Sequence, residues 1–210
     1  GKGKPQTVPI GKDGSQTAPT NPLFSLQLTP SLQKEWVRLP DFPGPARVQP
    51  VLTAQQSEDG IRLYLAGGFQ PASAHQEAIV CTDMLSYHPK TKQWRNEGFL
   101  PSLAGGSHRT VTGGCAIASG DSSILLVGGV NYDRFRDALN HPEPDYLLHP
   151  ADWYKFNTSL LQYNTFTKHW THLGNYEELA RAGAGIANTA NTVIIIGGEL
   201  KPGIRTAAVK

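Results

Sequence analysis

Ile124-Leu125-Leu126-Val127-Gly128-Gly129 is an aliphatic run that stops on two glycines; Leu161-Gln162-Tyr163 follows it, and six residues separate Tyr163 from Trp170. The same arrangement stands earlier in the chain. Arg62-Leu63-Tyr64-Leu65-Ala66-Gly67-Gly68 precedes Leu85-Ser86-Tyr87, and again six residues intervene before Trp94. A third run, Val193-Ile194-Ile195-Ile196-Gly197-Gly198, lies near the end. A short β-branched or aliphatic run reads as a strand buried on both faces. A glycine pair lets the backbone leave that strand through torsions closed to other residues and admits a close neighbouring backbone. Between Tyr and Trp lie turn residues, His88-Pro89-Lys90-Thr91 in one copy and Asn164-Thr165-Phe166-Thr167 in the other, so each pair brackets a hairpin. The Tyr and Trp are then large anchors packed between neighbouring sheets.

Each unit therefore reads as four strands. Strand A precedes the aliphatic run, strand B ends on Gly-Gly, strand C ends near Tyr and strand D starts near Trp. The expected A segments are Val48 to Ala54, Gly113 to Ala118 and Ala182 to Ala187. A four-stranded antiparallel unit repeated radially is a blade of a β-propeller. Two complete blades are expected, at 46–97 and 111–173, with the start of a further one at 182–210. A partial blade at 21–38 leads the chain, where Leu26-Gln27-Leu28, a turn with Pro30 and then Trp36 form a degenerate copy. The first twenty residues, rich in Gly, Pro, Thr and Lys, read as a flexible segment. A closed propeller needs at least four blades. The remaining blades are expected from a longer chain or a second copy.

Composition agrees with an all-β reading. Hydrophobic residues make up 39% and charged residues 17%, enough apolar material for a real core. Gly 22 and Pro 16 favour many short strands joined by turns over a helical bundle. The net charge is +2 with both signs interspersed, which removes the electrostatic case for nucleic acid. Runs such as Val193 to Ile196 are too short to span a bilayer, and no signal-peptide core stands at the amino end. Cys81 and Cys115 lie in different repeats without metal or redox spacing and read as semi-buried thiols. His169 and His172 flank Trp170 on a strand-like segment, where positions three apart face opposite ways, so no zinc site is expected.

The strand–Gly-Gly–Tyr–Trp pattern resembles the kelch repeat, over most of the chain from Leu23 onward. The A and B strands share one rim, so the D–A and B–C connections lie on one face. That face should carry Arg47, Asn131, Arg181, Glu199 and Arg205, a guanidinium-rich set with a carboxylate, suited to a small acidic ligand. The segment Gly197-Gly198-Glu199-Leu200-Lys201-Pro202-Gly203-Ile204-Arg205-Thr206 resembles one in the bacterial N-acetylneuraminate epimerases, the sialic acid mutarotases. So do Gly128-Gly129-Val130-Asn131, Asp152-Trp153-Tyr154-Lys155-Phe156-Asn157 and the Pro-Gly-rich turn Phe42-Pro43-Gly44-Pro45-Ala46-Arg47. The order of blades at the amino end would fit a circularly permuted relative.

The resemblance implies a six-bladed kelch propeller that interconverts the α and β anomers of N-acetylneuraminate, in the periplasm, with no metal or organic cofactor. It implies Glu199 as catalytic base, Arg205 first and Arg47 second as holders of the substrate carboxylate, and Asn131 as a hydrogen-bonding partner of the sugar. The plainer alternatives are a solvated loop carboxylate for Glu199, rim ion pairs for Arg205 and Arg47, and a turn-former for Asn131. For the molecule as a whole the alternative is a non-catalytic kelch propeller that binds a protein or glycan partner. The insertion between Asn131 and Trp153 reads as a lid over the mouth or as inert decoration, and its aromatics Tyr132, Phe135 and Tyr146 favour a segment that packs down. His108, in a Gly-rich loop, is a further candidate contact.

Overall fold

The computed structural model describes residues 21–26, 36–103, 105–189 and 192–210. The chain divides into two compact units, Gly1–Ala46 and Arg47–Lys210. In the first, β1 (Leu23–Leu26) pairs antiparallel with β2 (Trp36–Leu39), Leu26 opposite Trp36. Asn21 Nδ2 donates to the carbonyls of Phe42 and Gly44 at 3.0 and 2.8 Å and so closes the turn that follows β2. The expected flexible segment 1–20 and the turn around Pro30 lie outside the described residues.

In the second unit, β3 (Val51–Ser57) and β4 (Gly60–Ala66) are the first two strands of a four-stranded sheet. A small hairpin of β5 (Phe69–Gln70) and β6 (Ile79–Val80) follows the Gly-Gly, and β7 (Asp83–His88) and β8 (Gln93–Phe99) complete the sheet. The next sheet has the order β9 (Cys115–Ser119), β10 (Ser123–Val127), β11 (Ser159–Asn164), β12 (Trp170–Asn175). Its B–C connection is the long insertion, with helix α1 (Tyr132–Asn140) and 3-10 turns at Tyr146–Leu148 and Ala151–Tyr154. The third sheet has β13 (Gly185–Asn188) and β14 (Val193–Ile196), and Ala208–Lys210 pairs with the free side of β14. The hairpin of β15 (Glu199–Lys201) and β16 (Ile204–Arg205) lies between. The A strands β3, β9 and β13 neighbour one another in that order, which is the radial stacking of propeller blades. The chain is an all-β, kelch-type β-propeller segment, as the repeat predicts. No helix among the described residues is long and apolar enough to cross a membrane.

The six-residue spacing has a register explanation. Tyr87 stands opposite Trp94, and Tyr163 opposite Trp170, across the C–D hairpins. Their rings meet at centroid distances of 5.1 and 4.8 Å. Both tyrosines are fully buried; Tyr163 meets Tyr64 of the preceding sheet edge-on, within a core that includes Val51, Met84, Ile124, Leu126 and Leu161. Both cysteines are buried free thiols, and burial pushes their pKa values up.

The A strands start two or three residues later than expected. The residue ahead of each instead bridges to the residue just after Gly-Gly: Val48 to Phe69, Thr112 to Val130, Ala182 to Glu199. The next residue, Gln49, Gly113 or Gly183, has φ of 53, 70 or 64°, a left-handed kink that separates this bridge from the strand proper. The kinked residues also join blade to blade. Gly113 N–H donates to the Gln49 carbonyl at 3.0 Å, and Gly183 N–H to the Gly113 carbonyl at 2.7 Å.

The Gly-Gly pairs have φ between 62 and 94°. At Gly128 a Cβ would lie 2.6 Å from the Arg181 carbonyl oxygen of the next blade and 3.0 Å from that of Leu179. Gly128→Ala therefore combines backbone strain with a clash between main chains. We expect a loss of about 2 kcal/mol or more in urea unfolding of the intact protein. An unchanged midpoint would contradict this account of the turn.

On the outer part of the blades, Glu97 accepts hydrogen bonds from Ser86 Oγ and from Tyr163 OH of the neighbouring blade. Arg62 links Ser86 to Asp59, and Arg95 adds a second guanidinium to Asp59 at 3.0 Å. The Arg62 hydrogen bond and the charges of Arg62 and Arg95 hold the Asp59 carboxyl well below its ordinary 3.8. A depressed carboxyl pKa stabilises the fold above the unfolded value and loses that contribution as the pH falls below it. Asp59→Asn should thus lower the melting temperature at pH 7, and the gap from wild type should close below about pH 4. A gap that persists undiminished in acid would rule out the ion pair as its source.

Candidate active site

The bridges next to the kinks decide which side chains reach the mouth. The residue after Gly-Gly, held by its bridge, is Phe69 in the first blade, Val130 in the second and Glu199 in the third. Two blades carry an apolar residue there, so the fold has no need of a carboxylate at this position. Glu199 must be explained by something other than the blade.

A cavity of about 700 Å³ opens at this mouth. The kink residues Gln49, Gly113 and Gly183 line it together with Glu199, Arg205 and Thr206. Val130 and, from the insertion, Phe135, Tyr146 and Phe156 form an apolar wall. The volume lies within the range usual for small-molecule sites.

Glu199 starts β15 and Arg205 ends β16, directly opposite in the hairpin register. The turn between them contains Pro202-Gly203, with Gly203 at φ 79°, the requirement of a type II turn. Arg205 Nε donates to Glu199 Oε1 at 3.2 Å. The Arg205 side chain keeps 82% of its surface exposed, and Glu199 31%. Among the described residues, Nε is the only Arg205 guanidinium nitrogen in a hydrogen bond, so the guanidinium has N–H groups left to donate to a second carboxylate.

The hairpin is tied to the insertion. Lys201 Nζ donates to the carbonyls of Leu147 and His149, at 3.2 and 2.6 Å, and sits 5.9 Å from the Tyr154 ring centroid. Helix α1 packs Phe135 edge-on against Phe69 at 5.0 Å, and Asn140 exchanges hydrogen bonds with the Ala78 backbone. The insertion thus packs onto the mouth, as its aromatics suggest.

The structure does not bring Arg47 and Asn131 to Glu199. The Arg47 side chain is fully buried, with Nη1 and Nη2 on the two Asp83 carboxylate oxygens at 3.1 and 3.2 Å. Nη1 also donates to the Gly67 carbonyl. Arg181 repeats the second contact, Nη1 to the Gly197 carbonyl at 2.9 Å, and in the middle blade Asn157 Nδ2 meets the Gly128 carbonyl at 3.2 Å. Each of these side chains satisfies the carbonyl that the left-handed first glycine turns out of the ladder. Asn131 caps α1, its Oδ1 accepting from Arg134 N–H at 3.0 Å, and lines a separate cavity beside Asp152 and Lys155. His108 rests against Tyr132 at a ring distance of 5.1 Å and does not line the Glu199 cavity. Lys201 and Phe156 line or brace the site without having been singled out in the sequence, whereas Tyr146 and Phe135 are two of the insertion aromatics expected to pack down. The Pro-Gly turn was the available signal for the hairpin that carries Lys201; nothing local marked Phe156.

Glu143, Asp145 and His149 place potential ligand atoms within 4.8 Å of one another, but none of them lines the cavity. Both carboxylates are exposed, and exposed carboxylates commonly cluster without an ion.

Fold and mouth together define a β-propeller that presents a carboxylate–guanidinium pair to a small-molecule cavity. The N-acetylneuraminate epimerase family model matches residues 7–210, and the chain belongs to that family. The N-acetylneuraminate epimerase of Yersinia enterocolitica is 31% identical over 189 residues, covering 83% of this chain and 45% of the relative. That of Pasteurella multocida is 27% identical over 214 residues, covering 95% and 52%. The solved structure of YjhT superposes with a TM-score of 0.73 at 27% identity, over 90% of this chain and 55% of that one. The chain thus spans about half the length of the relatives it matches.

The buried Arg47–Asp83 pair carries a stability prediction. Arg47→Met leaves Asp83 and the Gly67 carbonyl without their donor, at a cost of roughly 3 kcal/mol. Chemical denaturation of the intact protein measures it; a loss of less than about 1 kcal/mol would count against a structural role.

Proposed function

We propose that the intact protein is a sialic acid mutarotase, an isomerase that interconverts the α and β anomers of N-acetylneuraminate by acid–base ring opening. The observation that carries this reading is the Glu199–Arg205 pair, set in a cavity at a repeat position where the other blades hold Phe69 and Val130. Membership of the epimerase family supports the choice of sugar.

The anomeric carbon of this sugar also bears its carboxylate. A base at that carbon therefore needs a cation beside it. Arg205 supplies the guanidinium, which orients the substrate carboxylate and offsets its charge next to Glu199. Glu199 takes the proton of the anomeric hydroxyl as the bond from the anomeric carbon to the ring oxygen breaks, and the ring oxygen takes up a proton from solvent water. The carbonyl so formed rotates, and the reverse transfers close the ring on its other face. The bonds broken and formed balance without an oxidant or reductant. A periplasmic setting is supported by the family resemblance alone.

An NMR time course begun from the α anomer tests the proposal. Wild type should shorten the equilibration time well below that in buffer. Glu199→Gln should slow the enzymatic rate by about a hundredfold or more. Arg205→Lys, which loses the planar fork, should raise KM more than it lowers kcat. Equilibration no faster than in buffer would leave a binding propeller, the alternative function. An undiminished rate in Glu199→Gln would remove Glu199 from the mechanism.

A further inference from the structure

Among the described residues, Gln49, Lys92, Lys155 and Lys168 have a left-handed backbone without being glycine. Lys92 and Lys168 hold the same place in the two C–D hairpins, each N–H closing its turn on the carbonyl four residues back, so the hairpin itself asks for that torsion. Lys155 ends the 3-10 turn Ala151–Tyr154. Gln49 is different. At its kink the other two blades use glycine, Gly113 and Gly183, which adopts such torsions without the strain that a Cβ brings. Strain of this kind persists where something else requires the residue. The blade requires only main chain here. The Gln49 carbonyl accepts from Gly113 N–H at 3.0 Å, and the Gly113 carbonyl accepts from Gly183 N–H without any side chain at the kink. The Gln49 amide makes no hydrogen bond among the described residues. The Gln55 amide, on the strand that follows, instead donates to the Gly120 and Ser123 carbonyls of the next blade at 3.1 and 2.7 Å. Gln49 is exposed and lines the cavity that also holds Glu199 and Arg205. Its Oε1 lies 3.6 Å from the point where a Cβ on Gly113 would stand, and that point is 3.3 Å from Ala182 Cβ. Ala182 is the residue bridged to Glu199, by bonds of 3.0 and 2.7 Å. The amide thus reaches the neighbourhood of the bridge that holds Glu199.

We propose that Gln49 is a substrate-binding residue, its side-chain amide hydrogen-bonding a neutral polar group of the sugar whose carboxylate Arg205 holds. The proposal rests on the mutarotase reading for the identity of the sugar. A primary amide offers two donor hydrogens and an acceptor oxygen and carries no charge. It pairs with a hydroxyl or a carboxamide in either sense and adds no charge beside Glu199. The substrate carboxylate calls for a cation, which Arg205 supplies. The other polar groups of the sugar are neutral donors and acceptors, for which an uncharged partner is the match. The cavity has room at the neighbouring kinks, since Gly113 and Gly183 have no side chain and a Cβ on Gly183 would meet no atom within 4 Å. The repeat thus has a second exception at the mouth, an amide where the other blades have glycine, as Glu199 stands where they have Phe69 and Val130.

Two substitutions in the intact protein test the assignment. Gln49→Met keeps the length of the side chain and removes the amide; Gln49→Gly installs the residue of the other blades. Three quantities are measured for each: the rate of anomer exchange by NMR, the Kd for N-acetylneuraminate by titration, and the melting temperature without sugar. Both variants should raise KM and Kd about fivefold, the loss of one neutral hydrogen bond, and lower kcat by less. Gln49→Gly should melt no lower than wild type, because glycine relieves the left-handed backbone. A KM and Kd unchanged in Gln49→Met overturn the proposal. A rise confined to a variant that melts several degrees lower marks a structural role and overturns it as well. Weaker sugar binding by both variants, with no acceleration of anomer exchange by the wild type, would retain the Gln49 contact and refute the mutarotase reading. No binding of the sugar by the wild type would overturn both.

Discussion

The mouth of this propeller depends on one backbone constraint: two left-handed turns must meet in each of the three described sheets that carry Gly-Gly. The Gly-Gly pair turns the chain out of strand B, and the kink at Gln49, Gly113 or Gly183 turns it into strand A. Between them lies a short bridge, and from the kinks run the hydrogen bonds that link Gln49 to Gly113 and Gly113 to Gly183. Neighbouring backbones come so close here that a Cβ on Gly128 or Gly129 would lie under 3 Å from a carbonyl oxygen. A Cβ is excluded at Gly128 and Gly129, whereas the kink admits Gln49 as well as Gly113 and Gly183, and the bridged residue beyond each pair varies. That freedom is what the site uses.

The repeat separates structural from functional polar groups. Arg47, Asn157 and Arg181 answer the same demand in three blades, a carbonyl turned out of its ladder by the first glycine. A guanidinium that recurs two residues ahead of the kink, buried and bonded to the carbonyl of the first glycine, belongs to the blade. Glu199 and Arg205 have no such counterparts. Their positions in the earlier blade are filled by Phe69 and the remainder of the β5–β6 hairpin. A polar group that appears once in a repeated position, half-exposed in a cavity, is free for chemistry.

The insertion adds what the repeat cannot supply. Its aromatic residues pack on Phe69 and Val130, the two apolar bridge residues, so the wall of the cavity and the anchor of the insertion are the same surface. Lys201 then fastens the insertion to the hairpin of Glu199.

The blade architecture was legible in the chain because its signals are local. Strand, Gly-Gly, and the Tyr and Trp that face each other across a tight hairpin all lie within short spans, and their spacing follows from strand period and turn length alone. Glu199 and Arg205 were legible for the same reason, since one Pro-Gly hairpin carries both. The partners of Arg47 and Asn131 were not. Arg47 meets Asp83 across 36 residues, and the choice between an ion pair within the blade and a ligand depends on which strand lies nearest after folding. Asn131 caps a helix whose existence the strand-rich pattern around it did not announce. Tertiary structure alone decided the start of the A strands, the apolar wall and the Lys201 tie. Each depends on contacts between segments distant in sequence, where close packing, rather than any local preference, selects the partner.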